Sequence, residues 1–257
     1  MSEVISLSIG RFALIYLLLI IVLAVMRRCK INQTKLLFIA SMRMTVQLVI
    51  AGLILTHMLE NPHPIFTTIY LILMTAFAIY MVLQRNKTIN SKFKLIVGIS
   101  LSACGLAVIC FFIVVIVGVD IFNPQYTIPI GGMIMGNALN GVSLGLKTFN
   151  ESVRSQKARI DTLLVMGVRP KRILSPFVNQ SIETALLPTL NSMLGMGIIS
   201  LPGMMTGQIL SGTLPTTAIL YQIAIIVAGC TVVCMAVFLS LVFGSRTLYN
   251  TRGQMVL

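Results

Sequence analysis

Two ionisable side chains fall deep inside apolar runs of this sequence, Arg43 and Glu183. A charge at bilayer depth is costly enough to demand a partner or a polar cavity. Both sit on the same half of their runs, so we expect either an Arg43–Glu183 pair or one cavity that both line with Gln47. Separate snorkelling toward the nearer interface is the alternative. A second group of polar residues lies where Asn137, Asn140 and Ser143 are set among Gly131, Gly132, Gly136, Gly141 and Gly145. Small residues let backbones approach closely, and the amides need partners within a bundle or cavity. Arg43, Gln47, Asn137, Asn140, Glu183, Asn191 and Gln208 are the candidates for lining a path across the membrane.

Softer ligands are present without a decisive pattern. Met133, Met135, Met193, Met196, Met204 and Met205 gather in the second half of the chain. Thioethers suit soft metals, but methionine is also common filler in spans. His57 and Glu60, with His63 beyond, could release a metal transiently or simply form a wet turn. Cys230 and Cys234 share one helix face and read as packing residues, and no cysteine falls in an external loop where a disulfide would be expected. The metal question is therefore open at this level. Catalysis is another matter. There is no Gly-x4-Gly-Lys-Ser/Thr phosphate loop, no His-Glu-x-x-His and no Gly-x-Ser-x-Gly, and a membrane-embedded enzyme would need a clustered acid/base set that is not found. No catalytic residue is assigned, and no cofactor is expected on this chain.

The elements that must position these groups follow from composition. Of the 257 residues, 57% are hydrophobic and 10% charged, and the mean hydropathy is +0.98. A water-facing surface needs far more charge than that. At roughly 20 residues per span, seven spans and short loops use nearly the whole chain. We expect an all-α, polytopic integral membrane protein with spans at 4–26, 36–59, 65–83, 95–119, 130–149, 177–200 and 217–243, read as one domain. The net charge of +13 does not point to nucleic acid, because the cations are placed as membrane flanks. Of the 19 Lys and Arg, all but Arg11 and Arg43 fall between or after spans, or at a span's end (Lys147), on one side; Arg11 reads as an outer-headgroup anchor. This bias sets the amino terminus outside and the carboxyl terminus in the cytoplasm.

Two connecting segments stand out. The run 201–215 is uncharged and rich in Gly and Pro, and non-helical backbone at membrane depth must be buried or line a cavity. A re-entrant segment is preferred to a plain external loop. The cytoplasmic segment 150–176 opens with Glu151 to Gly167, expected as one helix with Val153, Ile160, Leu163, Leu164 and Gly167 on one side and Arg154, Lys157, Arg159 and Asp161 away from it. Such a helix could transmit the stroke of a docked motor or lie passively on anionic lipid.

Asp161-Thr-Leu-Leu-Val-Met-Gly167 resembles the acidic-small-small-x-x-x-Gly loop with which ABC-transporter permeases engage their ATPases, with Asp for Glu and Thr-Leu for the small pair. Taken with Gly-Asn-Ala-Leu-Asn-Gly at 136–141, Leu-Leu-Pro at 186–188 and the run from Leu201 to Gly212, the whole chain resembles the FetB-like permeases. These are membrane subunits of the iron-export ABC type, related to plant permeases linked to aluminium tolerance. The resemblance implies a homodimeric permease core in a bacterial inner (plasma) membrane. It would be bound to cytoplasmic ATPase subunits that use the ATP, and it would export a metal ion such as iron or a small solute. Glu151, Arg159, Asp161 and Gly167 would then carry the coupling. A secondary transporter or channel working without an ATPase is the rival reading.

Overall fold

The computed structural model describes residues 10, 12, 14–86 and 89–249. Arg11, Lys87 and Arg252, and residues 4–9 of the expected first span, lie outside the described residues. In chain order the helices are α1 (Ile15–Arg28), α2 (Thr34–Glu60), α3 (Pro64–Arg85), α4 (Ser91–Phe111), α5 (Pro124–Ser155), α6 (Lys157–Val165), α7 (Pro170–Gly195), α8 (Gly203–Leu210) and α9 (Pro215–Ser245). No strand occurs among the described residues. By length and composition, four helices could each cross a bilayer: α2, α3, α4 with its continuation to Val117, and α9 with its continuation to Leu248. Helices α5 and α7 are long enough, with 32 and 26 residues, but too polar to qualify alone.

The chain forms two compact units. The first comprises residues 1–61 with 210–212, and its described part is the α1–α2 hairpin. Arg27 and Arg28 end α1, Lys30 turns the chain with φ 52°, and Tyr16 hydrogen-bonds Thr45 across the pair. Few side chains are covered: α1 has no buried residue and α2 only Met58.

The second unit, residues 62–209 with 213–257, holds the core. Prolines at the first turn start α3, α5, α7 and α9, where the missing N–H costs nothing. Helix α4 loosens into a π-helical turn at Phe112–Val117, closed by Gly118 with φ 74°, a backbone angle glycine tolerates freely. Asn123 then caps α5, its side chain accepting from the Gln125 N–H at 3.1 Å. At one end of the unit the Phe93 ring of α4 meets the Phe149 ring of α5 edge-on at 6.2 Å. The same ring lies so close to Gly244 of α9 that any side chain there would overlap it. At the other end Thr67, early in α3, donates to the Phe122 carbonyl ahead of α5 at 2.9 Å. Gly131 of α5 faces Leu71 and Met74 of α3. So α3, α5 and α9 run one way and α4 the other, as α7 must to link α5 with α9.

Several boundaries differ from the sequence reading. The helix expected over 130–149 extends to Pro124 and Ser155, and the one expected over 177–200 runs from Pro170 and stops at Gly195. Gly197, with φ 83°, then turns the chain, and its N–H donates to the Ser200 carbonyl at 3.0 Å. The single helix expected from Glu151 to Gly167 is broken at Gln156 (φ −109°). Beyond the break Ile160 is again buried, at 1% exposure. Glu151 and Arg154 consequently belong to the end of α5.

Candidate functional site

The polar, glycine-rich face of α5 lies against α9 in a regular seam. Gly141 faces Val233, and Gly145 faces Val237; a methyl group added at Gly145 would stand 2.9 Å from the Val237 Cγ1 and 3.4 Å from the Ala185 Cβ. One turn earlier the partners exchange roles, with Asn137 on α5 over Gly229 on α9. There an added Cβ would meet the Asn137 amide nitrogen at 2.6 Å. The register advances by four residues on both helices, so α5 and α9 are parallel and nearly in backbone contact. Helices α5, α7 and α9 converge at Gly145, which also lies near the Ser181 carbonyl. Without a hydrophobic drive between helices in lipid, such close packing is what holds them together.

Polar atoms are trapped in and around this bundle. The Ser143 and Ser240 hydroxyls and the Gln222 side-chain oxygen are buried with no hydrogen-bond partner among the described residues. Each costs about 1–3 kcal/mol if left so. Gln222 is 8% exposed and was not singled out from sequence, although a lone Gln in the apolar run 218–227 was a legible signal. Asn137 is half-buried at the seam, while Asn140 is exposed. On α7 the buried face is Ile173, Leu174, Phe177, Val178, Ser181 and Ala185, so Glu183 and Asn191 lie on the opposite, exposed side with Asn179 and Gln180. Gln208 is half-buried on α8, the eight-residue helix that forms inside the run 201–215.

Arg43 and Gln47 are exposed on α2 and belong to the first unit, whereas Glu183 belongs to the second; their pairing therefore stays a proposal. Among the described residues no three His, Cys, Asp or Glu stand together as a metal cluster. Met135 is core filler at 1% exposure, its thioether against Gly105. His63 caps α3, its Nδ1 accepting from the Ile65 N–H at 3.4 Å. The bundle offers neutral amide, hydroxyl and carbonyl groups.

One end of the second unit is strongly basic. The termini that meet there carry Arg85, Lys92, Lys94, Lys147, Arg154, Lys171, Arg172 and Arg246, while Asp120 marks the other end. At the basic end α6 packs on α5 and α7 through Ile160, Leu163 and Leu164, with Lys157, Arg159 and Asp161 exposed. Its last residues do the opposite of burying: Val165 is 89% and Met166 73% exposed. Gly167 follows with φ 81°, and an open groove of about 810 Å³ runs from Met166 along Arg169, Lys171 and Arg172 to Ser175. Nearby, burial raises the Tyr249 hydroxyl above its ordinary pKa, with the Asp161 carboxylate adding to the shift.

Comparison with known proteins places the chain. A family model described as "Uncharacterised protein family (UPF0014)" matches residues 9–249. The chain belongs to the UPF0014 family. Among its curated relatives, the UPF0014 membrane protein YjkA of Bacillus subtilis is 31% identical over 83% of this chain and 84% of that protein. The "Probable iron export permease protein FetB" of Escherichia coli is 29% identical over 95% and 93%. The plant protein ALUMINUM SENSITIVE 3 of Arabidopsis thaliana is 31% identical over 71% and 66%. No solved structure matches. The resemblance to FetB-like permeases drawn from the motifs thus holds over nearly the whole chain, and this UPF0014 protein is an all-α membrane protein.

Proposed function

We propose that this UPF0014 protein is the permease subunit of an ATP-driven exporter. Seven helices would span the membrane, with the amino terminus outside and a separate cytoplasmic ATPase driving the cycle. The observation that carries the reading is the tip of α6. Val165 and Met166 stand side by side at the basic end, 89% and 73% exposed, an apolar pair available to a docked partner. The tip is held on both long helices of the bundle through Ile160, and its turn depends on Gly167. A push on it would therefore reach α5 and α7 together.

Orientation rests on the gathering of cations at the end that carries α6, which favours the cytoplasm. The iron-export name carried by FetB supports a metal or small solute as cargo. Two copies, related as in other permease cores, would enclose the path, with Asn137, Asn140, Glu183, Asn191, Gln208, Arg43 and Gln47 as its candidate lining. The short α8 supports a re-entrant segment, since eight residues rise only about 12 Å and cannot cross the hydrocarbon. The deciding experiment is co-purification from native membranes with ATPase assays of the reconstituted complex against a panel of metals. A cytoplasmic ATPase that stays bound and is stimulated by one cargo supports the reading. A chain that transports in vesicles with no ATPase present identifies a secondary transporter or channel instead.

A further inference from the structure

A cleft of about 470 Å³ separates the start of α7 from the end of α9. Its inner walls are Leu174, Phe238 and Val242, and its mouth carries Lys171 and Arg246. The two cations come from antiparallel helices that meet at the basic end, and both are exposed. The Arg246 guanidinium lies 5.3 Å from the centre of the Phe243 ring, a cation–π contact that keeps it beside the helix end. Tyr249 lines the same cleft, with its hydroxyl turned away from solvent. Behind this polar mouth the wall runs for two helical turns, from Arg246 back to Phe238, mostly apolar through Leu174, Val178, Phe238 and Val242 and broken by Ser175, Asn179 and Ser245. That is roughly 12 Å at 1.5 Å per residue, enough for the first half of an acyl chain.

A free anion would use the mouth and leave the apolar depth unexplained; a neutral lipid would use the depth and leave the paired cations unexplained. Asp161 lies close enough to act on Tyr249, but Arg169 and Arg172 beside Lys171 keep the mouth positive. Basic pockets between transmembrane helices on the cytoplasmic side suit anionic headgroups. We propose that this cleft binds one anionic phospholipid. Its phosphate sits between Lys171 and Arg246, and one acyl chain lies along Leu174, Phe238 and Val242. The site does not depend on whether an ATPase docks.

The test is native mass spectrometry of the delipidated full-length chain in neutral detergent, titrated with dioleoyl phosphatidylglycerol or dioleoyl phosphatidylcholine. One phosphatidylglycerol should bind about thirtyfold more tightly than phosphatidylcholine, as expected for two near-surface cations. Lys171→Gln/Arg246→Gln should abolish that preference, and Ser175→Trp, which fills the cleft without changing charge, should remove the tight adduct. Arg85→Gln/Lys92→Gln, at the same end but away from the cleft, should keep both. The proposal is overturned if phosphatidylcholine binds equally well, if the control loses as much as the cleft variants, or if millimolar inorganic phosphate displaces the lipid and marks a free-anion site. Should Lys171→Gln/Arg246→Gln fail to fold, Ser175→Trp and the wild-type headgroup ratio decide.

Discussion

Alanine at position 141 puts the seam between α5 and α9 to a direct test. A Cβ built on Gly141 overlaps the Val233 Cγ1 and stands 3.0 Å from its Cγ2 and 3.2 Å from its Cβ, and Val233 is 1% exposed, with nowhere to turn. Overpacking of this kind costs about 1–3 kcal/mol. Val233→Ala alone removes two buried methyl groups and leaves a void, at a cost of about 2 kcal/mol. In Gly141→Ala/Val233→Ala the new methyl occupies that void, with only the 3.2 Å approach to the remaining Cβ to relieve. The double variant should therefore be at least about 1 kcal/mol more stable than the sum of the singles, the size of coupling expected for residues in contact. Because the sequence has no Trp, the readout is the fraction of folded protein after graded heating in detergent, followed by size-exclusion chromatography. A difference of 1 kcal/mol corresponds to roughly 2–4 °C in a chain of this size. Strict additivity, with all variants inserted and monodisperse, refutes the contact and with it the parallel register of α5 and α9.

Three further outcomes are expected. Asp161→Lys reverses a charge beside the α6 tip, and Gly167→Val forces a β-branched residue to φ 81°, a strain of about 1–2 kcal/mol. Both should insert normally and lose ATPase retention and ATP-driven transport, whereas a passive lipid-surface helix predicts that Asp161→Lys is neutral or binds anionic vesicles more tightly. Arg43→Gln/Glu183→Gln should impair transport less than the sum of its singles if the two side chains interact, and additivity leaves snorkelling as the account. Single cysteines at 61, 123 and 213 should label from outside intact cells and a cysteine at 157 only after permeabilisation; external labelling of 157 would reverse the proposed orientation.

The segregation of charge was legible because partition between lipid and water is a one-dimensional property of sequence. Arg85, Lys92, Lys171 and Arg246 needed no knowledge of packing to be assigned to one side. The glycine face of α5 was legible as a close approach, but its partner was not, since Gly229, Val233 and Val237 sit in an ordinary apolar run and the contact spans many intervening residues. The start of α7 could have been read from Pro170, which suits a first helical turn. Its stop at Gly195 was hidden by the apolar run that follows, although Gly195 and Gly197 are the usual residues for ending a helix. The break at Gln156 has no local signal at all. Neither Gly nor Pro marks it.

The seam also has a consequence for how the chain is made. Val233 follows Gly141 by 92 positions, so at roughly 5–20 residues per second the ribosome needs about 5–20 s to deliver α9 after α5 has emerged. Through that interval Gly141 and Gly145 of α5 lack their partners Val233 and Val237, and Asn137 is not yet seated on Gly229. The α5–α9 seam is therefore completed only from the carboxyl-terminal end, and a truncation that removes α9 leaves that face of α5 uncovered.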